Sequence, residues 1–166
     1  GTPGGMGLVT GNEHDEFGLV STDPINRNKM VAKRQGKMVS MKPELPIAIN
    51  HGVETADIGF IGVGMCYGVI LEAIDLLAQK GIFAQYHQVR TLWPMLDDTP
   101  AFTKRCPNIF VVEYNATAQL AKLIIAHGGE EENINNILRY DGIPMQAQDL
   151  VNSVISKLNL KEDEVA

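Results

Sequence analysis

At 166 residues the chain has room for one ordinary hydrophobic core and not for two. With 45% hydrophobic, 6% aromatic and 20% charged residues it has the makeup of a globular domain, which excludes intrinsic disorder and collagen-like order. The formal net charge of −6 opposes a phosphate backbone, so nucleic acid is not an expected partner.

Residues 1–23 are rich in glycine and acids, hold one short strand candidate at Gly7 to Thr10, and read as an arm. The opening Gly1-Thr2-Pro3-Gly4-Gly5 has no initiator methionine, so a fragment of a longer protein is expected, with proteolytic maturation as the alternative. Asp23 before Pro24 is a strong helix start, because an aspartate caps free backbone N–H groups and proline suits the first helical position. That helix is expected to reach about Val39. Arg27, Lys29, Lys33, Arg34, Lys37 and Lys42 form a basic stretch without an acid, which reads as a solvated helix face or as a surface for an acidic neighbour. Pro43 and Pro46 then break the chain, separating an arm, basic helix and linker at 1–46 from a main domain at 47–166.

From Asp57 onward short apolar runs alternate with longer amphipathic ones, the pattern of βαβ units and a parallel sheet. Strands are expected at Ile58 to Val63, Phe83 to Val89, Ile109 to Glu113 and Ile134 to Leu138. Ile70, Ala73, Ile74, Leu77 and Ala78 recur at helical spacing up to Gly81, a left-handed stop. Thr99 and Pro100 start a short helix that Pro107 ends. Asn115 is a cap for the helix carrying Leu120, Leu123 and Ile124, which Gly128 and Gly129 terminate. Leu150, Val151, Val154, Ile155 and Leu158 form one face of a last helix, and Lys161 to Ala166 is a polar tail expected to fray. The fold class is therefore α/β, three-layered, with a mostly parallel sheet and helices on both faces.

Chemistry-bearing motifs are sparse. Gly62, Gly64 and Gly68 form a GxGxxxG turn between strand and helix, which suits either tight packing or a dinucleotide phosphate. The acid expected for a ribose hydroxyl is missing from the next strand's end, where Arg90 would instead suit a 2′-phosphate. His14, Asp15 and Glu16 offer an acid–base pair or metal ligands on paper, or a loop held by its own hydrogen bonds. His51, His87 and His127 are scattered over a linker, a strand and a helix end, the last suiting the helix dipole. Cys66 and Cys106 belong to no CxxC pattern, so neither zinc nor an iron–sulfur cluster is expected on this chain, and both read as buried thiols of a reducing compartment. No GxSxG, GxxxxGK[ST] or HExxH is present. The apolar run Ala116 to Ala126 is too short to span a bilayer and no signal peptide opens the chain, so no membrane and a cytoplasmic location are expected.

The stretch VTGNEHDEFGLVSTDPINRNKMVAKR at 9–34 resembles the alpha subunit of 2-oxoacid:ferredoxin oxidoreductases, in particular the 2-oxoglutarate type. The resemblance continues in IGVGMCYGVILEAID at 61–75, VRTLWPM at 89–95, VVEYNATAQLAKLI at 111–124 and RYDGIP at 139–144. It implies a transketolase C-terminal-like domain within an enzyme that decarboxylates a 2-oxoacid oxidatively, giving acyl-CoA, carbon dioxide and reduced ferredoxin. A pyruvate or branched-chain 2-oxoacid member is the alternative within the family. Outside it stand an NADP-binding module and a purely structural dimerisation domain. The resemblance places thiamine diphosphate with magnesium and the iron–sulfur clusters on the N-terminal domain of the alpha subunit, the beta subunit and other parts, which become the expected partners together with ferredoxin and coenzyme A. It implies no catalytic or metal-binding residue here. His14, Asp15, Glu16, Arg90 and Asn115 are then interface or active-site-proximal candidates, with the His14–Gly18 arm and the Arg90–Pro94 loop facing neighbouring domains. Ala118, where glycine is common, and Gln146, where Ser or Thr often caps the last helix, depart from the family pattern in ways that bear on local stability.

Overall fold

The computed structural model describes residues 1–160; the polar tail Lys161–Ala166 lies outside the described residues. The chain forms two compact units, the first Gly1–Leu45 and the second beginning at Pro46.

In the first unit, helix α1 (Pro24–Ser40) starts as its sequence dictates: Asp23 Oδ1 accepts the Ile25 N–H at 3.1 Å and Oδ2 the Asn26 N–H at 3.2 Å. The arm before it forms no strand at Gly7–Thr10, and its one β contact is an isolated bridge between His14 and Val20. Among the described residues that segment pairs with no strand, and Met6 and Val9 are almost fully exposed. The arm is tied to α1 by polar contacts instead. Arg34 forks onto both oxygens of Glu13 at 3.0 and 2.8 Å, Lys29 meets Glu16 at 3.2 Å, and the Asn26 amide donates to the His14 carbonyl at 3.0 Å. Two cations of the basic stretch thus face acids of their own arm. The Arg34 hydrogen bonds hold the Glu13 carboxyl down at about 2.

The second unit is a five-stranded sheet in the order β1-β3-β2-β4-β5, with β1 (Ile49–Gly52), β2 (Ile58–Val63), β3 (Ala84–Val89), β4 (Ile109–Glu113) and β5 (Ile134–Leu138). β1 runs antiparallel to β3, and the other neighbours are parallel. Residues alternate between faces as pleating requires. Phe60, Tyr86, Phe110 and Val112 share a core with α2 (Cys66–Ala78) and α5 (Ala147–Lys157). Ile61, Val89, Ile109 and Val111 share the other with α3 (Asp98–Phe102) and α4 (Gln119–Ala126). The three-layer α/β arrangement expected from the sequence is present.

Close approach between layers rests on glycine. A Cβ on Gly59 would lie 2.6 Å from Ile109 Cδ1 and 2.8 Å from Phe102 Cε1, and one on Gly62 would lie 2.9 Å from both Cys66 Cβ and Ile70 Cδ1. Each lets a helix settle on β2.

Two details differ from expectation. Strand β1 occupies what reads as linker, because four residues with a polar pair in the middle carry no strand signal and only pairing to β3 makes them one. His51 is consequently a strand residue, stacked on Tyr86 with ring centroids 5.6 Å apart and bonded through Nε2 to Gln88 Oε1 at 2.9 Å. The short helix begins at Asp98 instead of Thr99, and Asp98 Oδ2 accepts the Ala48 N–H at 2.9 Å, fixing the segment that leads into β1.

His87 joins three elements. Its Nδ1 meets Asn50 Oδ1 of β1 at 2.8 Å, its Nε2 meets Thr99 Oγ1 of α3 at 3.1 Å, and its ring stacks on Phe102 at 4.6 Å. Burial lowers the imidazole to about 4, with Asp98 opposing and Arg105 adding to the shift. The folded state therefore resists the proton that an unfolded chain takes up near 6.5, so the stability linked to His87 is complete above that pH and is lost as pH falls toward 4. Urea unfolding at pH 7 and pH 4.5 should show a loss in which His87 accounts for up to about 3 kcal/mol, and His87→Gln should flatten that dependence.

Candidate functional site

From β2 the chain crosses through α2 to β3 on one side, while β4 lies on the other, so the sheet order reverses between the carboxyl ends of β2 and β4. In open α/β sheets such a switch point opens a crevice for ligands. Here the crevice is about 230 Å³, lined by Val63, Met65, Cys66, Glu113, Tyr114 and Asn115 among others, below the range of about 300–1,000 Å³ usual for small-molecule sites.

Its anion position is already filled. Glu113 is 4% exposed, and its carboxylate accepts the Leu120 N–H at 2.7 Å, the Ala121 N–H at 3.1 Å and the Asn115 amide at 2.7 Å. The free donors and positive dipole end of α4, which would serve a ligand phosphate, are spent on this carboxylate. Asn115, expected to cap α4, does so only in part: Oδ1 accepts from Thr117 N at 3.0 Å and from Gln119 N at 3.3 Å, while Nδ2 orients Glu113. The N-cap position itself is Ala118, at φ 52° and without a capping side chain. That left-handed conformation explains why glycine suits the position.

Of the glycine turn, Gly62 is needed for packing and Gly64 for its φ of +59°, while a Cβ on Gly68 would meet nothing within 4 Å. Cys66 Sγ lies 3.2 Å from the Val112 carbonyl, and burial pushes its thiol up, away from thiolate reactivity. Arg90, just beyond β3, is exposed and makes no ion pair among the described residues. In the first unit, His14 is held through its backbone in the bridge to Val20, Asp15 Oδ1 closes a turn by accepting the Phe17 and Leu19 N–H groups at 2.9 and 3.0 Å, and Glu16 pairs with Lys29. Among the described residues, no three His, Cys, Asp or Glu side chains are grouped to hold a metal ion, and no helix is long and apolar enough to cross a membrane. His127 Nδ1 bonds the Leu123 carbonyl in the last turn of α4 at 2.8 Å, and Trp93 stands edge-on to its ring at 5.5 Å.

The loop after β5 is braced just as firmly. Arg139 meets Asp141 at 3.0 Å and Asp149 at 2.7 Å, the Tyr114 hydroxyl accepts the Met145 N–H at 2.9 Å, and Gly142 turns with φ +81°. The Asp149 carboxylate accepts the Gln146 N–H at 3.0 Å and the Asp149 N–H donates to the Gln146 backbone carbonyl at 3.0 Å, so Asp149 and the backbone hold this helix start. These residues, Glu113 included, carry no motif of their own; the one sequence signal was a helix start with alanine where a cap belongs. The braced edge leaves Met65, Tyr140 and Ile143 exposed at 74, 72 and 56%. The crevice is thus small, and the loops around it carry exposed apolar side chains.

No family model matches the chain. It is 30% identical over 162 residues to 2-oxoacid:ferredoxin oxidoreductase 2, subunit alpha, of Aeropyrum pernix, covering 95% of this chain and 25% of that protein. It is 28% identical over 155 residues to the 2-oxoacid:ferredoxin oxidoreductase subunit alpha of Saccharolobus solfataricus, covering 89% and 24%. Among solved structures it superposes on 2-oxoglutarate:ferredoxin oxidoreductase from Magnetococcus marinus with a TM-score of 0.76 at 31% identity, covering 95% of this chain and 28% of that one. A split gene transketolase shares the fold, with a TM-score of 0.55 at 18% identity over 69% of this chain and 42% of that one. The chain spans about a quarter of the length of the curated relatives it matches.

Glu113→Ala removes acceptors from two helix N–H groups and from Asn115, and urea unfolding should show a loss of about 2–4 kcal/mol, with Glu113→Gln costing less because one acceptor oxygen remains. Gly62→Ala should cost about 1–3 kcal/mol by pushing α2 off β2.

Proposed function

We propose that this chain is the transketolase C-terminal-like portion of the alpha subunit of a 2-oxoacid:ferredoxin oxidoreductase, acting on 2-oxoglutarate. The observation that carries the reading is likeness over 95% of the chain, at 31% identity and a TM-score of 0.76, to an enzyme of that name from Magnetococcus marinus. The complete enzyme then converts a 2-oxoacid and coenzyme A to acyl-CoA and carbon dioxide, passing electrons to ferredoxin. Thiamine diphosphate with magnesium supplies the electron sink for decarboxylation, and iron–sulfur clusters carry the electrons.

The residues of this chain do not fit those groups. A cluster takes four thiolates, whereas Cys66 and Cys106 are the two cysteines present and burial raises both thiols. Glu113 closes the phosphate position at the switch point. The cofactors therefore belong to the N-terminal domain of the alpha subunit, the beta subunit or other parts of the assembly. This portion supplies framework. Glu113, Tyr114 and Arg139 set the loops at the carboxyl edge, and Met65, Tyr140 and Ile143 lie against a neighbouring domain. The Arg90–Pro94 loop and the His14–Gly18 arm each face neighbouring domains near the active-site entrance, in a cytoplasmic enzyme.

The test uses the complete enzyme carrying this chain. Ferredoxin or viologen reduction should depend on coenzyme A and favour 2-oxoglutarate over pyruvate and branched-chain 2-oxoacids; a preference for one of the latter would reassign the substrate, and no reaction with any would end the reading. Alanine at His14, Asp15 or Arg90 should lower turnover or assembly several-fold, and unchanged behaviour in all three would remove the placement of arm and loop.

A further inference from the structure

The arm folds back on itself, the Ser21 N–H donating to the Glu13 carbonyl at 3.0 Å beside the His14–Val20 bridge. The Arg34 fork on Glu13 and the Asn26 amide on the His14 carbonyl hold this doubled segment against α1. Arm and helix together enclose a hollow of about 450 Å³, lined by Asn12, Glu13, Val20, Ser21, Thr22 and Arg27 and within the range of small-molecule sites. Every one of these residues belongs to the first unit, so the hollow is formed without the second.

Its walls carry donors that lack acceptors. The Arg27 guanidinium makes no ion pair among the described residues, and neither it nor the Asn12 amide nor the Thr22 hydroxyl enters a side-chain hydrogen bond there. Ser21 Oγ accepts the Asp23 N–H at 3.4 Å, which leaves its own O–H free to donate. The acids beside the hollow are already engaged, Glu13 by the Arg34 fork and Asp23 by the Ile25 and Asn26 N–H groups. One free guanidinium with three free neutral donors suits an oxyanion. A carboxylate has two oxygens, and a bidentate guanidinium takes both; a phosphate has a further oxygen for Asn12, Ser21 and Thr22. The hollow shares Asn12, Glu13 and Arg27 with an adjoining one of about 330 Å³, which gives space for the rest of a phosphorylated molecule.

We propose that the hollow between the arm and α1 binds a phosphate group, free or as the ester of a small molecule, with Arg27 as its bidentate anchor and Asn12, Ser21 and Thr22 as the remaining donors. Arg27 comes from the helix and the other three from the arm, so the bound group ties one to the other and steadies the arm. The site goes beyond the family reading and does not depend on it.

The test is deuterium exchange of the complete enzyme carrying this chain, with inorganic phosphate added at constant ionic strength. At about ten times the dissociation constant, amides from Asn12 to Thr22 should exchange about tenfold more slowly. Arg27 is exposed, so Arg27→Gln leaves the packing intact; it should raise the phosphate needed for the same protection about tenfold or more. Arg27→Lys should recover only part of the loss, because lysine keeps the charge without the fork. Glycerol phosphate separates the two sources: tighter binding than inorganic phosphate marks an ester and equal binding the free ion, and both uphold the site. An arm left unprotected in tens of millimolar phosphate, protection unchanged in Arg27→Gln, or equal protection by acetate would each overturn the proposal. Turnover of a 2-oxoacid tests the family reading separately: an enzyme inactive on every 2-oxoacid whose arm is still protected by phosphate would sink that reading and leave the phosphate site standing.

Discussion

A carboxyl group buried to 4% exposure is stable only where donors replace its water, and Glu113 has three of them: two backbone N–H groups of α4 and the Asn115 amide. The rest of the carboxyl edge depends on this. The last residue of β4 is tied to the first turn of α4. Tyr114, the next residue, then reaches Met145 with its hydroxyl, and the Glu113 carbonyl accepts the Arg139 N–H at 3.0 Å. One strand end thus organises both the helix that follows it and the loop after β5.

The same constraint decides what the switch point can do. Helix N-termini at such positions serve phosphates because their donors are free and water is the only competitor. Glu113 is a competitor tethered a few residues away, and a ligand anion would have to displace it from the same donors. Gly62 adds a second restriction, since the helix it admits sits close enough to β2 to leave a crevice of about 230 Å³. A site that could have held a nucleotide is used to lock two loops.

Much of the fold was legible because its signals are local. The strands Ile58–Val63 and Ile109–Glu113 are short apolar runs between punctuating residues, and Asp23-Pro24 starts α1 through hydrogen bonds within three residues. Strand β1 was not legible, since Asn50 and His51 become strand residues only when β3 lies beside them. The site was legible at Asn115 and illegible at Glu113 for a related reason. Asn115 is near enough to α4 to read as a cap, whereas a carboxylate reaching donors seven and eight residues onward depends on a turn that passes through the left-handed Ala118. The GxGxxxG turn reads the same way for packing and for phosphate binding, and only the distance from Gly62 to α2 separates them.

The stretches that resemble the oxidoreductase family can now be sorted by what their side chains do. In residues 9–34, Glu13 takes Arg34, Asp15 closes its own turn, Asp23 caps α1 and Met30 is buried. In 111–124 and 139–144, Glu113, Tyr114, Asn115, Arg139 and Asp141 brace the carboxyl edge. Most charged residues in these three stretches bond another residue within the same unit, with Arg27, Lys33 and Lys122 as the exceptions among the described residues. Met65, Tyr140 and Ile143 stay exposed at one edge of the sheet. Side chains of that kind gain free energy by burial against a partner.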